Sequence, residues 1–226
     1  MSAKDEAHAW AETVQAVGAK RGVTYDPVGG INPVGGPVAL CPGGTNRLTG
    51  ELAPEFWGAS CDADEDVEGG VFSKAVLPRA VLAKSHVPDL AKVMPPFNVE
   101  SVERRPEELV LQKASRRKVE FESLEFNKRF LATVPSEYDP IALRETFSPG
   151  FLEWVTAIDN EVEFGVSEQQ LWFLWRLGDR TPAQLEAALD TGGGLFKRVR
   201  NEIEESGVHT YTAGPWHAGL EPFPDA

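Results

Sequence analysis

Cysteine is scarce in this chain of 226 residues, which holds two, together with four histidines and two methionines. Cys41 and Cys61 are too few for a disulfide framework, although one bridge between them is allowed. They lack the paired spacing of a zinc site, and His86, His209 and His217 fall at no ligand spacing with them. No metal and no cofactor is therefore expected. Long apolar runs are absent too, none approaching the ~18 residues needed to span a bilayer. No charged segment leading into an apolar core opens the chain, so export is not expected and a reduced, cytoplasmic setting is. Basic residues are in the minority, 22 against 35 acidic, for a net charge of −13. A polyanion would have to overcome that field, because phosphate binding rests on clustered Lys and Arg. Nucleic acid is thus excluded as the expected partner, and a basic protein surface fits better.

Catalytic signatures are missing as well. There is no G-x-S-x-G elbow and no H-E-x-x-H pair. Pro42-Gly43-Gly44-Thr45-Asn46 lacks the lysine and the spacing of a phosphate loop and reads as a turn. The acidic run Asp62-x-Asp64-Glu65-Asp66-x-Glu68 has Val67 where a calcium-binding EF-hand loop needs glycine and Ser73 where it needs glutamate. A solvated turn is the better reading.

What is present suits a packed globule: 42% hydrophobic residues, with six Trp and twelve Phe. The 21 Gly and 17 Pro gather in the first hundred residues and at the C-terminus, which predicts loop-rich ends. A helix is expected first, with Ala7, Trp10, Val14 and Val17 at helical spacing and Gly18 and Gly22 near its end. A short strand at 23–25 follows, then the near-repeat Pro27-Val28-Gly29-Gly30 and Pro33-Val34-Gly35-Gly36, read as turns. A strand pair is expected over 46–60 and a strand over Val71–Pro78. Four prolines from Pro78 to Pro96 then punctuate short pieces, one of them a helical turn near 88–94.

Denser structure is expected from residue 99. Leu109–Leu111, Val119–Glu122 and Phe130–Val134 read as strands. Asp139-Pro140 and Ser148-Pro149 are helix starts, the second opening a helix that buries Phe151, Leu152, Trp154 and Val155. Val162–Val166 and Leu171–Trp175 form a hairpin, its second strand buried on both faces because its apolarity is continuous. A helix over about 182–205 is expected to divide into two helices or kink sharply at Gly192-Gly193-Gly194, since each glycine costs ~1 kcal/mol relative to alanine. The architecture is α+β, an antiparallel or mixed sheet covered by helices. It is expected to be one domain, with a loop-rich part at 1–98, a regular core at 99–206 and an extended tail at 207–226.

The pattern Glu122-Ser123-x-x-Phe126-Asn127-x-x-Phe130, followed by Phe147-x-Pro149-x-Phe151-x-x-Trp154, resembles a family of soluble actinobacterial proteins of unknown function. That family is itself similar to a broader bacterial domain often attached to membrane segments. The resemblance covers about residues 99–205 and implies architecture without implying an activity.

Three functional readings follow. The first is a non-catalytic interaction protein with a protein partner, self included. Its binding residues would be the basic cluster Lys113, Arg116, Arg117 and Lys118, with Trp216 in the aromatic tail. The second is an enzyme of unrecognised class, such as a hydrolase, whose pocket would gather Glu122, Asn127 and Arg129. The third is an acidic mimic that blocks a basic site on a target.

Overall fold

A computed structural model describes residues 3–27, 45–53, 56–63, 80–86, 94–103, 116–158, 162–167, 170–177 and 181–205. Nine strands build one sheet in which every described pairing is antiparallel. They are β1 (Thr24–Asp26), β2 (Thr45–Ala53), β3 (Phe56–Ala63), β4 (Ala80–His86), β5 (Phe97–Ser101), β6 (Arg116–Val119), β7 (Phe130–Pro135), β8 (Val162–Ser167) and β9 (Gln170–Arg176). Their order across the sheet is β1-β2-β3-β4-β9-β8-β5-β7-β6, so β1 and β6 are its edges. The fold is α+β, as the residue patterns predict.

The centre of the sheet is buried on both faces, and the two faces differ in chemistry. Register places Phe97, Val99, Ala132, Phe164, Val166, Leu171 and Phe173 on one side. Asn98, Glu100, Leu131, Thr133, Glu163, Trp172, Leu174 and Arg176 share the other, and all are buried. On this second face Arg176 Nη2 donates to Glu163 Oε2 at 3.1 Å, and its Nη1 lies 2.9 Å from the other carboxylate oxygen. Pairing with an opposite charge at this range is what makes such burial of charge tolerable. Gly165 stands between Asn98 and Trp172, where a Cβ would lie 2.2 Å from the Phe97 carbonyl oxygen and 2.7 Å from the Trp172 ring. Only glycine lets those neighbours come so close.

Helix α1 (Ala3–Arg21) buries Trp10, Val14 and Val17 and ends in a Schellman cap. Gly22 takes φ +71°, Val23 N–H donates to the Gly18 carbonyl, and Gly22 N–H donates to that of Ala19. Helix α5 (Pro182–Glu205) packs on α1 and on β2, β3, β4 and β9. It runs unbroken through Gly192-Gly193-Gly194, contrary to the expected break. The three glycines sacrifice roughly 3 kcal/mol of helix propensity. Burial of Leu185, Leu189, Leu195, Phe196, Val199 and Ile203 outweighs that at ~1.5–3 kcal/mol each. No described helix is long and apolar enough to cross a membrane.

Three short helices complete the described structure: α2 (Leu124–Arg129), α3 (Pro140–Thr146) and α4 (Pro149–Ala157). Helices α3 and α4 start at the expected signals, with Asp139 and Ser148 accepting from Ile141 N–H and Phe151 N–H. Helix α2 fills the segment between the expected strands Val119–Glu122 and Phe130–Val134, where no helix was expected. Its cap, Ser123, accepts from Phe126 N–H, and Phe126 and Phe130 lie one turn apart beneath it. Strands β4 and β5 were not anticipated in the sequence. The expected strands at 71–78 and 109–111, the helical turn over 88–93 and the tail beyond 205 lie outside the described residues.

Candidate functional site: an acidic cleft over an aromatic floor

A continuous set of ring contacts ties the short helices to the sheet. Phe147 meets Phe97 edge-on at 5.4 Å and lies against Phe151 at 4.5 Å, while Phe151 reaches Phe164 at 6.3 Å. Phe121 joins the set through Phe126 at 5.1 Å and Phe147 at 6.0 Å. Edge-to-face pairs of this kind add ~0.5–1.5 kcal/mol beyond area burial, so the platform is stiff.

Above that platform α2, α3 and α4 enclose an open cleft of about 1000 Å³. Its apolar lining is Phe121, Phe147 and Leu152, with Ile141 from α3 at the mouth. Ile141 is 51% exposed, and Leu124 of α2, outside the lining, is 73% exposed. These are the two most open large apolar side chains among the described residues. Around the apolar lining stand Glu122, Glu125, Glu145 and Glu153, with Arg144 as the cation among the lining residues. Glu125 is paired with Lys128 at 2.6 Å. Glu122, Glu145 and Glu153 are exposed, and among the described residues none of the three makes an ion pair. Four carboxylates facing one guanidinium give the cleft a negative field that a close cation would feel.

Ser148 anchors the cleft wall. Its hydroxyl caps α4 and donates to Glu202 of α5 at 2.9 Å, and its backbone N–H donates to the same carboxylate. Trp154 closes the outer side of α4, with the Arg198 guanidinium 4.6 Å from its ring centroid.

The structure separates the residues of the suggested enzyme pocket. Glu122 lines the cleft, whereas Asn127 and Arg129 do not. The Asn127 side chain accepts from Phe121 N–H at 3.2 Å and donates to the Phe121 carbonyl at 2.7 Å, clamping the approach to α2. Arg129 donates to the carbonyls of Thr156 and Ile158, satisfying the C-terminal end of α4. The Glu-Ser-x-x-Phe-Asn-x-x-Phe pattern thus serves to cap, clamp and fill, and of its polar members Glu122 and the capping Ser123 reach the cleft while Asn127 does not.

The basic cluster divides in the same way. Arg116 and Lys118 lie in the edge strand β6 and are half-buried, and Arg117 between them is exposed. Arg116 donates to the Thr133 hydroxyl at 2.8 Å and to the Thr133 carbonyl at 3.0 Å. Burial pushes its guanidinium below the ordinary arginine value, with Glu100 and Glu137 opposing that shift. Lys118 pairs with Glu120 at 3.2 Å. Charged side chains on an edge strand also discourage further strand pairing. Lys113 and Trp216 lie outside the described residues, as do Cys41, His209 and His217. Among the described residues no three His, Cys, Asp or Glu side chains come together as metal ligands would.

No protein-family model matches this chain, and no curated protein matches it significantly. A solved structure does: the crystal structure of the mycobacterial trehalose monomycolate transport factor A, TtfA. The TM-score is 0.52 at 10% sequence identity, over 87% of this chain and 95% of that one. At that identity the likeness is one of fold.

Proposed function

We propose that this chain is a non-catalytic interaction protein and that the cleft among α2, α3 and α4 docks a protein partner. The observation that carries the reading is the combination in one cleft of an exposed apolar group, Ile141, with three carboxylates that make no ion pair among the described residues, while Leu124, exposed on α2, follows the lining residue Ser123 in the chain. Exposed apolar area rimmed by polar groups marks contact surfaces. Carboxylates that act as acids or bases are tuned by burial or a close charge. Glu122, Glu145 and Glu153 are exposed, and the Asn127 and Arg129 side chains are committed to backbone groups. Membership of the soluble actinobacterial family that residues 99–205 resemble belongs to the same proposal. That a similar fold serves a protein named a transport factor supports an interaction role by analogy alone.

The test is affinity capture from native lysate by the wild-type chain and by a Leu124→Ser/Ile141→Ser variant. Both positions are exposed, so the variant keeps its fold. A stoichiometric protein captured by the wild type and lost with the variant supports the reading. A partner retained equally by both, or no partner at all, refutes it.

A further inference from the structure

Resting on that reading, we propose that the occupant of the cleft is a basic amphipathic helical segment of the partner protein. Charge and shape both point to it. Glu122 stands at the start of α2, Glu145 on α3 and Glu153 on α4, so acidic groups from three elements surround the apolar lining. A ligand that filled the cleft with apolar groups alone would leave these carboxylates partly desolvated and unpaired, which is costly. One that carried Lys or Arg at its flanks would pair them where the local dielectric is below that of water. Arg144 sets a limit, since a segment basic all round would meet a like charge at α3.

Openness, more than size, favours a helix over a small molecule. A cylinder ~10 Å across that fills about 1000 Å³ is roughly two helical turns long. That length presents one apolar stripe of residues at i, i+3, i+4 and i+7, the number that Phe121, Phe147, Leu152 and Ile141 can receive. Drug-sized ligands occupy pockets of ~300–1000 Å³ and are mostly enclosed, whereas this cleft opens to solvent between exposed side chains. The stiff floor keeps the cleft formed before binding, which lowers the ordering cost of association.

The experiment is an NMR titration of ¹⁵N-labelled chain with three synthetic peptides of equal length. One is a Lys/Leu amphipathic helix, one replaces each Lys with Glu, and one is a lysine homopolymer. The chain is used as wild type and as the Glu122→Gln/Glu145→Gln/Glu153→Gln variant, whose fold is checked by its unchanged amide spectrum outside the cleft. The expected result is that only the Lys/Leu peptide shifts amides at 121–125 and 141–157. Its affinity should fall about tenfold or more in the triple variant and weaken steadily with salt. Equal binding of the Glu/Leu peptide overturns the basic occupant and leaves a docking cleft of a different preference. Equal binding of the lysine homopolymer shows unspecific attraction to an acidic protein and also overturns it. If no peptide shifts these amides, the helical occupant is wrong. The capture comparison with the Leu124→Ser/Ile141→Ser variant then decides separately whether the cleft docks any protein.

Discussion

Where α1 meets α5, Lys20 reaches Glu186 at 2.7 Å and Arg21 reaches Asp190 at 2.7 Å, with Arg21 also donating to the Leu52 and Glu186 carbonyls. Where α2, α3 and α4 meet, Glu122, Glu145 and Glu153 face an open cleft and make no such pair. Both groups of helices belong to one buried core, yet the long ones pair opposite charges across their seam, whereas between the short ones Arg129 of α2 meets only the carbonyls at the end of α4. The short helices are secured by caps and rings instead: Asp139, Ser148, Phe121, Phe147 and Phe151. Charge left over from folding is available for binding, and that contrast underlies the functional proposal.

The largest expected effect lies beneath both regions. Glu163→Ala removes the carboxylate that Arg176 holds inside the sheet and should cost about 3–5 kcal/mol in urea unfolding. A loss below about 1 kcal/mol would mean that this pair does not secure the platform. Gly165→Ala drives a methyl group against the Phe97 carbonyl and the Trp172 ring and should cost ~1–3 kcal/mol by the same assay. Its damage should spread into the aromatic floor through Phe97, visible as shifted ring resonances of Phe147. Next comes Ser148→Ala, which removes the α4 cap and the hydroxyl link to Glu202. It should cost ~0.5–2 kcal/mol and speed amide exchange in α4 before α1.

Acid should separate the two regions in the opposite direction. The Glu186 carboxyl lies below its ordinary value, chiefly because Lys20 hydrogen-bonds it. The tie is therefore fully present above the range where an unfolded-chain glutamate titrates, and it is lost as pH falls through the lowered folded value. Amide exchange in α1, corrected for intrinsic rate, should accelerate as pH falls below the range where an ordinary glutamate titrates. Glu186→Gln should remove that acid-dependent step. The smallest effect is expected at the cleft. Glu122→Gln, Glu145→Gln and Glu153→Gln should each change stability by no more than about 0.5 kcal/mol, because they are exposed and make no ion pair among the described residues. A larger loss would show that these carboxylates serve the fold after all.

Local chemistry made part of this architecture readable before any coordinates. Asp139-Pro140 and Ser148-Pro149 each carry a capping oxygen and a preset φ, so α3 and α4 begin where those pairs occur. The continuous apolarity of Leu171–Trp175 correctly signalled a strand covered on both faces. Helix α2 was hidden because Glu120-Phe121-Glu122 alternates like a strand, although the four-residue spacing of Phe126 and Phe130 is helical. Strand β5 was hidden because Asn98, Glu100 and Ser101 are polar, and only the tertiary structure buries them. Glycines 192 to 194 misled for the same reason, since local propensity there yields to packing. Glu122 was picked out in the sequence, but its company was not. Glu145 and Glu153 join it only because the ring contacts of Phe147 and Phe151 bring α3 and α4 beside α2.

The most direct test of the contrast is hydrogen–deuterium exchange on the chain alone and in complex with the partner it captures. The account predicts added protection at 121–125 and 141–157, with α1 and α5 unchanged. Protection gained at α1, or along β6 with the cleft unchanged, would contradict it.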